Sequence, residues 1–124
     1  MKEKIVVDTD VITQYLKTGK GVLPMAYEKY EMWIPATTYT ELLASSTFED
    51  ANLRSEVMDF TNKYFKVEEI TKDVAVKAGE IVRQYGLSIS SAVLLACCFA
   101  NECKLLTDRA DDYKKVEGLM IAEV

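Results

Sequence analysis

The sequence predicts an α/β fold, a three-layer α/β/α sandwich with a mostly parallel central sheet. Short apolar segments of strand length alternate along the chain with longer segments in which apolar residues recur at helical spacing. Two of the short segments, residues 5–7 and 104–107, are each followed by an aspartate. Continuous apolar strands are typical of parallel sheets that are covered on both faces, and the crossovers between them should be right-handed.

The predicted strands differ in how deeply they should be buried. Residues 5–7 are β-branched and fit a pleated surface that is packed on both faces. Residues 32–34 form a short apolar strand, whereas residues 66–69 are largely charged and should form a weak, exposed strand. A second buried strand at 104–107 and a last strand at 119–122 complete the predicted sheet.

Helices are predicted between these strands from apolar spacing and from residues that begin or end helices. Gly86 ends one helix, because glycine readily adopts the left-handed conformation found there. Candidate N-caps are Thr37 or Thr38, Thr71, and Ser88 or Ser90. The predicted helices cover about 10–17, 23–31, 38–46, 49–64, 72–85 and 110–116, with a strongly apolar helix that ends near residue 101.

The composition is that of a globular protein. The chain has 124 residues, of which 49% are hydrophobic, so we expect a single domain over residues 1–124. No apolar run approaches the roughly 18 residues of a membrane span, and residues 1–4 lead straight into a strand without the apolar region of a signal peptide. Cys97, Cys98 and Cys103 lack zinc-type spacing and suit buried thiols in a reducing cytoplasm.

Histidine is absent from the sequence, and this excludes several kinds of chemistry. Histidine triads, Cys–His pairs, imidazole acid–base catalysis and the usual zinc sites all need it. Catalysis would have to use carboxylates, hydroxyls, thiols, lysines or a bound ion. The net charge of -5 argues against a general electrostatic grip on nucleic acid, although an acidic centre that holds divalent cations can still accept phosphate.

Three carboxylates from distant segments are predicted to meet at one edge of the sheet. Asp8 and Asp108 each follow an apolar strand, and Glu41 comes shortly after the strand at 32–34. Because the carboxyl ends of parallel strands share one edge, these side chains should approach each other. Clustered carboxylates repel one another, so they need a raised pKa or a cation such as Mg²⁺ or Mn²⁺. The arrangement favours metal-assisted phosphodiester hydrolysis.

Other acids lie near enough in sequence to act as outer ligands or to position water: Asp10, Asp111 and Asp112. Several acids also have a purely structural interpretation. Asp10 can cap the helix that follows it, and Asp108 can cap the last short helix. Glu41 can form a capping box with Thr38. Asp8 is harder to explain in this way, because an acid after a buried strand is costly unless it is paired or coordinated.

Two further groups of residues carry weaker indications. Arg109, Lys114 and Lys115 could contact phosphates near the acidic edge, although a solvated helix face explains them as well. The aromatic and methionine-rich stretch at 25–33 suits core packing first and a subunit interface second.

Residues 7–12 resemble the opening motif of the PIN-domain nucleases, and within them of the VapC-type toxins of prokaryotic toxin–antitoxin pairs. The resemblance runs almost from end to end of the chain and implies a PIN-like central sheet. The first Asp of this motif is a metal ligand in the family, and that role falls on Asp8. Asp10 stands where the family often has Asn. Residues 40–43 are similar to the second motif, whose Glu is the next ligand, and that role falls on Glu41.

Residues 106–113 resemble the last motif of the family, in which a Thr precedes polar and acidic residues. Thr107 matches this Thr, and residues 112–113 resemble the Asp-Phe ending of the motif. Arg109 stands where Asn or Asp is common, and Asp108, in preference to Asp111, could compensate. In the third motif Ser91 occupies the position of an Asp, and a hydroxyl binds Mg²⁺ far more weakly than a carboxylate does.

The resemblance implies a metal-dependent endoribonuclease in which Asp8, Glu41 and Asp108 are catalytic and hold Mg²⁺ or Mn²⁺. The supporting residues would be Asp10, Ser91, Thr107, Asp111 and Asp112. It also implies an RNA substrate, a homodimer and a cognate antitoxin. The alternative, favoured by Ser91 and Arg109, is a catalytically weakened PIN-like module that binds RNA or a protein. A haloacid-dehalogenase-type phosphatase and a signalling receiver domain fit less well, because the expected lysine motif and mid-chain strand are missing.

Overall fold

The structure, a computed structural model, describes residues 1–124, and its strands alternate with helices as predicted. The strands are β1 (Glu3–Val7), β2 (Tyr30–Pro35), β3 (Lys66–Glu68) and β4 (Lys104–Leu106). The α-helices are α1 (Thr9–Thr18), α2 (Leu23–Lys29), α3 (Ala36–Ala44), α4 (Ala51–Tyr64), α5 (Lys72–Tyr85), α6 (Ile89–Ala100) and α7 (Ala110–Tyr113), with a short 3₁₀ helix at Ser46–Phe48. None of these helices has the length and apolar character that crossing a membrane requires.

The four strands form one parallel sheet in the order β3-β2-β1-β4. β1 lies in the interior of the sheet, because Ile5 pairs with Met32 of β2 on one side and with Lys104 of β4 on the other. All four strands therefore end at the same edge. The predicted parallel sheet is confirmed.

Two hydrophobic cores lie on opposite faces of this sheet. Ile5 and Val7 join the core that is formed with α1 to α4, whereas Val6 joins the core formed with α5 to α7. The alternation follows from the two-residue period of side chains along a strand. Each of the three side chains is at most 1% exposed, and burial of such a side chain stabilises the fold by roughly 1.5–3 kcal/mol. The predicted three-layer α/β/α sandwich is confirmed.

The caps of α5 and α6 act as predicted. The hydroxyl of Thr71 accepts a hydrogen bond from the backbone N–H of Val74 at the start of α5. Ser88, rather than Ser90, caps α6, and its hydroxyl accepts from the N–H of Ser91. This cap holds the first turn of α6 in place near the edge of the sheet at which the strands end.

The start of α3 differs from the prediction. The residue at the N-cap is Pro35, in an extended conformation, and no side chain caps the helix. Thr37 and Thr38 lie inside the first turn, so neither acts as the predicted cap. Because α3 begins at Ala36, Glu41 falls in its second turn.

The C-terminal segment also differs from the prediction. α7 ends at Tyr113, where the N–H of Val116 donates to the Tyr113 carbonyl and forms a turn instead of continuing the helix. The strand predicted at 119–122 is wrong, because only one bridge forms, between Ile121 and Leu105. The chain then leaves the edge of the sheet before a ladder can develop.

The three cysteines are buried free thiols, as expected. Burial raises the pKa of Cys97 to about 12, so this thiol stays protonated at neutral pH. Cys97 and Cys98 belong to the core between α6 and the sheet. Their role in the described fold is packing.

Candidate active site

Asp8 lies directly after β1, at the edge where the strands end. Its backbone N–H donates to the carbonyl of Leu106 at 2.9 Å, which ties Asp8 to the end of β4. Asp8 is the N-cap residue of α1, yet its side chain makes no capping hydrogen bond, and the residue is only 1% exposed. A carboxylate that is buried so deeply needs hydrogen bonds and a counter-charge.

Arg109 and Thr107 supply these partners. Nη2 of Arg109 donates to Oδ1 of Asp8 at 3.1 Å and to Oδ2 at 3.0 Å, and Nε donates to Oδ2 at 3.2 Å. The hydroxyl of Thr107 donates to Oδ2 at 2.7 Å. The planar guanidinium matches a carboxylate in this forked manner, which a lysine could not reproduce. Both oxygens of Asp8 are therefore engaged by neighbouring side chains.

Further contacts hold Arg109 at this position. Its Nε lies 3.2 Å from Oδ2 of Asp10, and its guanidinium carbon lies 5.3 Å from the ring centre of Tyr113. Its backbone N–H donates to the hydroxyl of Thr107 at 2.9 Å. Burial disfavours the charged guanidinium, but the attraction of Asp8 outweighs this effect and the pKa of Arg109 is raised. The side chain nevertheless remains 37% exposed.

Glu41 reaches the same place from α3. The hydroxyl of Thr9, the first residue of α1, donates to Oε1 of Glu41 at 2.9 Å. This contact joins α1 to α3, so the capping box predicted for Glu41 and Thr38 is not formed. Glu41 is exposed, whereas Asp8 is buried. The two carboxylates therefore differ in how readily they can meet a ligand.

A polar cavity of about 80 Å³ brings Asp8 and Glu41 together. It is room for a few water molecules or for a small ion with part of its hydration shell. Leu94 is the one hydrophobic residue in its wall. The lining residues are Asp8, Thr38, Glu41, Ser88, Ser90, Ser91, Leu94 and Arg109.

The start of α6 forms one wall of this cavity. Ser91 is 8% exposed, and its hydroxyl accepts a hydrogen bond from the hydroxyl of Tyr113 at 3.1 Å. Burial raises the pKa of Tyr113, so its hydroxyl keeps the proton that it donates. The backbone N–H groups at a helix start favour negative charge. This wall therefore suits the oxygens of a phosphate.

The structure does not bring Asp108 to the cavity. Thr107 and Arg109 both contact Asp8, while Asp108, which lies between them in the sequence, is exposed and does not line the cavity. The chain bends at Asp108 after β4 has ended, and the side chains on either side of this bend contact Asp8 while that of Asp108 is exposed. The predicted cage of three carboxylates is therefore wrong. No three acidic or thiol side chains of the chain cluster closely enough to hold a metal ion.

The predicted supporting residues fall into two groups. Thr107 and Ser91 belong to the site, through the hydrogen bond to Asp8 and the wall of the cavity. Asp10 does not cap α1 and pairs with Arg109 instead, with its side chain 56% exposed. Asp111 and Asp112 are exposed in α7 and do not line the cavity.

The donors that remain fit a weakly held divalent cation. Mg²⁺ is commonly bound through one or two carboxylates together with the phosphate oxygens of a substrate, not through a closed protein cage. Asp8 and Glu41 provide two carboxylates on one cavity, and Ser91 adds a neutral hydroxyl. Arg109 opposes such binding, because it already engages both oxygens of Asp8.

Sequence reasoning missed the contact between Arg109 and Asp8. The signal for it was the position of Arg109, two residues after Thr107, where the related motif commonly has Asn or Asp. A basic residue at a position that normally belongs to an acidic cluster is compatible with an internal ion pair. The sequence was equally compatible with a solvated arginine, and only the three-dimensional arrangement decides between them.

Comparison with solved structures finds the same fold in toxin–antitoxin complexes. A DNA-bound VapBC from Salmonella typhimurium has a TM-score of 0.82 at 14% identity, with 97% of each chain covered. VapBC2 from Rickettsia felis, bound to a promoter DNA fragment, has a TM-score of 0.81 at 12% identity and covers 96% of this chain and 97% of its own. A toxin–antitoxin complex from Klebsiella pneumoniae has a TM-score of 0.76 at 19% identity, covering 97% of this chain and 99% of its own.

Sequence comparison identifies the family. No curated protein sequence matches the chain. The family model of the PIN domain matches residues 5–119, which include the last three residues of β1 and Asp8, α3 with Glu41, and the segment from Thr107 to Arg109. The match extends over most of the chain and agrees with the parallel sheet and its site at the strand ends. This chain belongs to the PIN-domain family.

Proposed function

We propose that this protein is a VapC-type endoribonuclease that hydrolyses RNA phosphodiester bonds at the cavity between Asp8 and Glu41, with Mg²⁺ or Mn²⁺ as cofactor. The observation that carries the proposal is the meeting of these two carboxylates, from distant parts of the sequence, on one polar cavity of a PIN domain. Bound at Asp8 and Glu41, the ion would activate water and offset the charge of the scissile phosphate.

The chain's own residues would orient the two ligands and the substrate. Thr107 fixes one oxygen of Asp8, and Thr9 fixes one oxygen of Glu41. The guanidinium of Arg109 has the forked geometry that suits a phosphate as well as a carboxylate. The serines at the start of α6 and the backbone N–H groups there offer neutral donors to phosphate oxygens.

The test is metal-dependent cleavage of RNA by the purified protein. Labelled single-stranded and structured RNAs are incubated with Mg²⁺, with Mn²⁺ and with a chelator. We expect cleavage only with metal, and we expect Asp8→Asn and Glu41→Gln each to reduce the rate by roughly 100-fold or more. Asp59→Asn and Glu80→Gln, two exposed acids on α4 and α5, serve as matched controls and should leave the rate unchanged.

The outcome that contradicts the proposal is equally specific. Cleavage that survives the chelator, or that falls to the same extent in the control variants, would come from a contaminating nuclease or from another site. Unfolding measured by circular dichroism for each variant separates a lost function from a lost fold.

A second candidate is a weakened PIN module that binds RNA or a protein without cleaving RNA. The observation in its favour is the occupation of Asp8 by Arg109, together with Ser91 at a position where the family has an acid. It would bind RNA in the presence of chelator and show no cleavage. Restoring acids by Ser91→Asp combined with Arg109→Asp would then create metal-dependent cleavage that the natural sequence lacks.

The proposal includes a protein partner. Several solved structures with the same fold are VapBC or toxin–antitoxin complexes, and we propose that this chain also pairs with an antitoxin that restrains it. A largely apolar groove of about 750 Å³ between α1, α2 and α4 offers a surface for an apolar segment of that partner. It is lined by Tyr15, Leu16, Gly19, Leu23, Pro24, Tyr27, Glu28, Met32, Phe60 and Tyr64. Co-purification with the product of a neighbouring small reading frame, lost on Tyr27→Asp, tests this pairing.

The proposal also includes a homodimer in the cytoplasm. Its support is the likeness to VapC-type proteins. Light scattering coupled to size-exclusion chromatography would give twice the mass of 14.0 kDa for a dimer. A mass that stays at 14.0 kDa at high protein concentration would contradict the dimer and leave the cavity proposal intact.

A further inference from the structure

Asp8 is a buried carboxylate with one cationic partner, Arg109. Its two oxygens accept three hydrogen bonds from Arg109 and one from Thr107. The residue is 1% exposed, so water cannot replace a lost partner on most of its surface. Because a buried charge without a partner is strongly destabilising, Asp8 needs a cation beside it to remain ionised in the folded protein.

Arg109 is placed to serve as this cation, and other contacts would hold it if it moved away from Asp8. Asp10 and the ring of Tyr113 attract the guanidinium independently of Asp8. The Arg109 side chain is 37% exposed, so it lies at the rim of the site and not in the packed core. An arginine that shifted away from Asp8 would keep Asp10 as a partner and would still lie beside the cavity.

A divalent ion at this cavity needs the same oxygens that Arg109 uses. Asp8 and Glu41 are its only carboxylates, so an ion that cannot reach the oxygens of Asp8 keeps a single charged protein ligand, Glu41. A cation next to the guanidinium would also meet like-charge repulsion. Occupation by Arg109 and occupation by an ion therefore oppose each other.

We infer that Arg109 is an internal counter-ion of Asp8 that competes with the divalent ion, so that the resting cavity holds the guanidinium and the ion binds only when Arg109 is displaced. RNA would favour this displacement, since a phosphate offers Arg109 a second forked partner and offers the ion additional oxygens. This inference rests on the proposed cation site at Asp8 and Glu41, but it does not depend on RNA cleavage.

The test measures Mn²⁺ affinity directly, from the electron paramagnetic resonance signal of free Mn²⁺, in the absence of RNA. Arg109→Gln removes the competing charge, and Arg83→Gln, an exposed arginine in the last turn of α5, is the control for the same change in net charge. We expect Arg109→Gln to bind Mn²⁺ about tenfold or more tightly than the wild-type protein, and Arg83→Gln to match the wild type. Asp8→Asn added to Arg109→Gln should abolish the gain.

A second measurement covers the case in which Arg109→Gln does not fold. Arg109→Lys keeps the charge but gives up the forked contact, so it should also bind Mn²⁺ more tightly than the wild type, and Mn²⁺ should raise its melting temperature more. Unchanged affinity in the folded variants of Arg109, or a gain equally large in Arg83→Gln, would overturn the inference. If the Arg109 variants bind Mn²⁺ more tightly but the protein does not cleave RNA, competition is supported and the proposed ribonuclease is contradicted. If the protein cleaves RNA but the Mn²⁺ affinity of the Arg109 variants is unchanged, the ribonuclease is supported and competition is contradicted.

Discussion

Asp8 illustrates how a single buried carboxylate couples the site to the stability of the fold. Removing the partner of a buried ion typically costs roughly 3–5 kcal/mol, because the charge is left uncompensated. Arg109 and Thr107 both act on this one side chain. Substitutions at any of the three residues are therefore expected to change folding as well as activity, and each activity measurement needs a matching measurement of unfolding.

A second network of polar residues connects β1, β2 and β3 outside the cavity. Nζ of Lys4 in β1 reaches across β2, 3.7 Å from the ring centre of Trp33, and donates to Glu68 of β3 at 2.9 Å. Glu68 also accepts two hydrogen bonds from the side-chain amide of Asn101, at 2.9 and 2.8 Å. Burial by itself would raise the pKa of Glu68, but Lys4 and Asn101 outweigh it, so the pKa is lowered.

Glu68→Gln is expected to destabilise the protein in a pH-dependent manner. A carboxyl whose pKa is lowered by folding stabilises the native state above its unfolded value, here 4.5, and this contribution is lost as the pH falls through the lower native value. We expect a loss of about 1–2 kcal/mol in the free energy of unfolding at pH 7, shrinking toward zero in acid. Urea unfolding of the wild type and the variant from pH 7 to pH 3 measures it.

The control for this prediction is Glu56→Gln, an exposed acid on α4. It should leave the free energy of unfolding almost unchanged at every pH, because surface charges without partners contribute little. A difference between Glu68→Gln and the wild type that stays constant down to pH 3 would show that lost packing, not the charge, is responsible.

At the level of residues, Asp8 and Glu41 could be predicted and Arg109 could not. An acid that directly follows a buried strand is costly unless it is paired or binds a ligand, and Asp8 stands at such a position. After β4 the sequence offers Thr107, Asp108 and Arg109 in succession, and the direction of each side chain depends on how the chain leaves the sheet. A shift of one residue in this segment would bring Asp108 instead of Arg109 to Asp8, and the residue types alone do not show which of the two faces Asp8.

Among the elements, α5 has one glycine in its interior and one directly after its last residue, and the two have opposite effects. Gly86 ends the helix at φ +70°, where a side chain is strained even though a Cβ at this position would meet nothing within 4 Å. Gly79 lies in the helix interior with helical geometry, and its Cβ position is also open. The difference between them is one of backbone conformation and not of space.

Gly86→Ala is expected to destabilise the protein by about 1 kcal/mol, because alanine disfavours the left-handed region. Gly79→Ala should stabilise it by about 0.5–1 kcal/mol, since alanine is the better helix former and restricts the unfolded chain. Urea unfolding of both variants checks the two signs. Equal effects of the two substitutions would contradict the assignment of the helix end.

Most elements could be predicted because their signals are local. The caps Thr71 and Ser88 and the terminator Gly86 act within a few residues of their own position. The failed prediction of a strand at 119–122 has a different cause, because strand formation depends on pairing with a distant segment: β4 offers a free edge, but the 119–122 segment forms only one bridge to it. Apolar residues in this segment pack against the core near β4 without forming a ladder.

At the scale of the whole molecule, the strand order places the site. β1 lies between β2 and β4, so Asp8 from the end of β1 meets Thr107 and Arg109, which follow β4, while β2 leads into α3 and Glu41. The sequence predicted a shared edge but not the order of strands along it. The order of the strands depends on pairing between residues that are far apart in the sequence, and no short segment of the sequence specifies that pairing.

The same arrangement explains why Asp8 and Glu41 should act as one unit. Residues that serve a single step lose their contribution together, so the loss in a double variant does not exceed that of the worse single variant. If the two residues contributed independently, the fold-losses in rate of the two single variants would multiply in the double variant. The distinction does not depend on which ion is bound.

The most direct test of this account is therefore the rate of RNA cleavage in Mn²⁺ by Asp8→Asn, by Glu41→Gln and by the double variant. We expect each single variant to be slower than the wild type by roughly 100-fold or more, and the double variant to be no slower than the worse of the two. Losses that multiply in the double variant, or wild-type cleavage in either single variant, would contradict a common catalytic centre at Asp8 and Glu41.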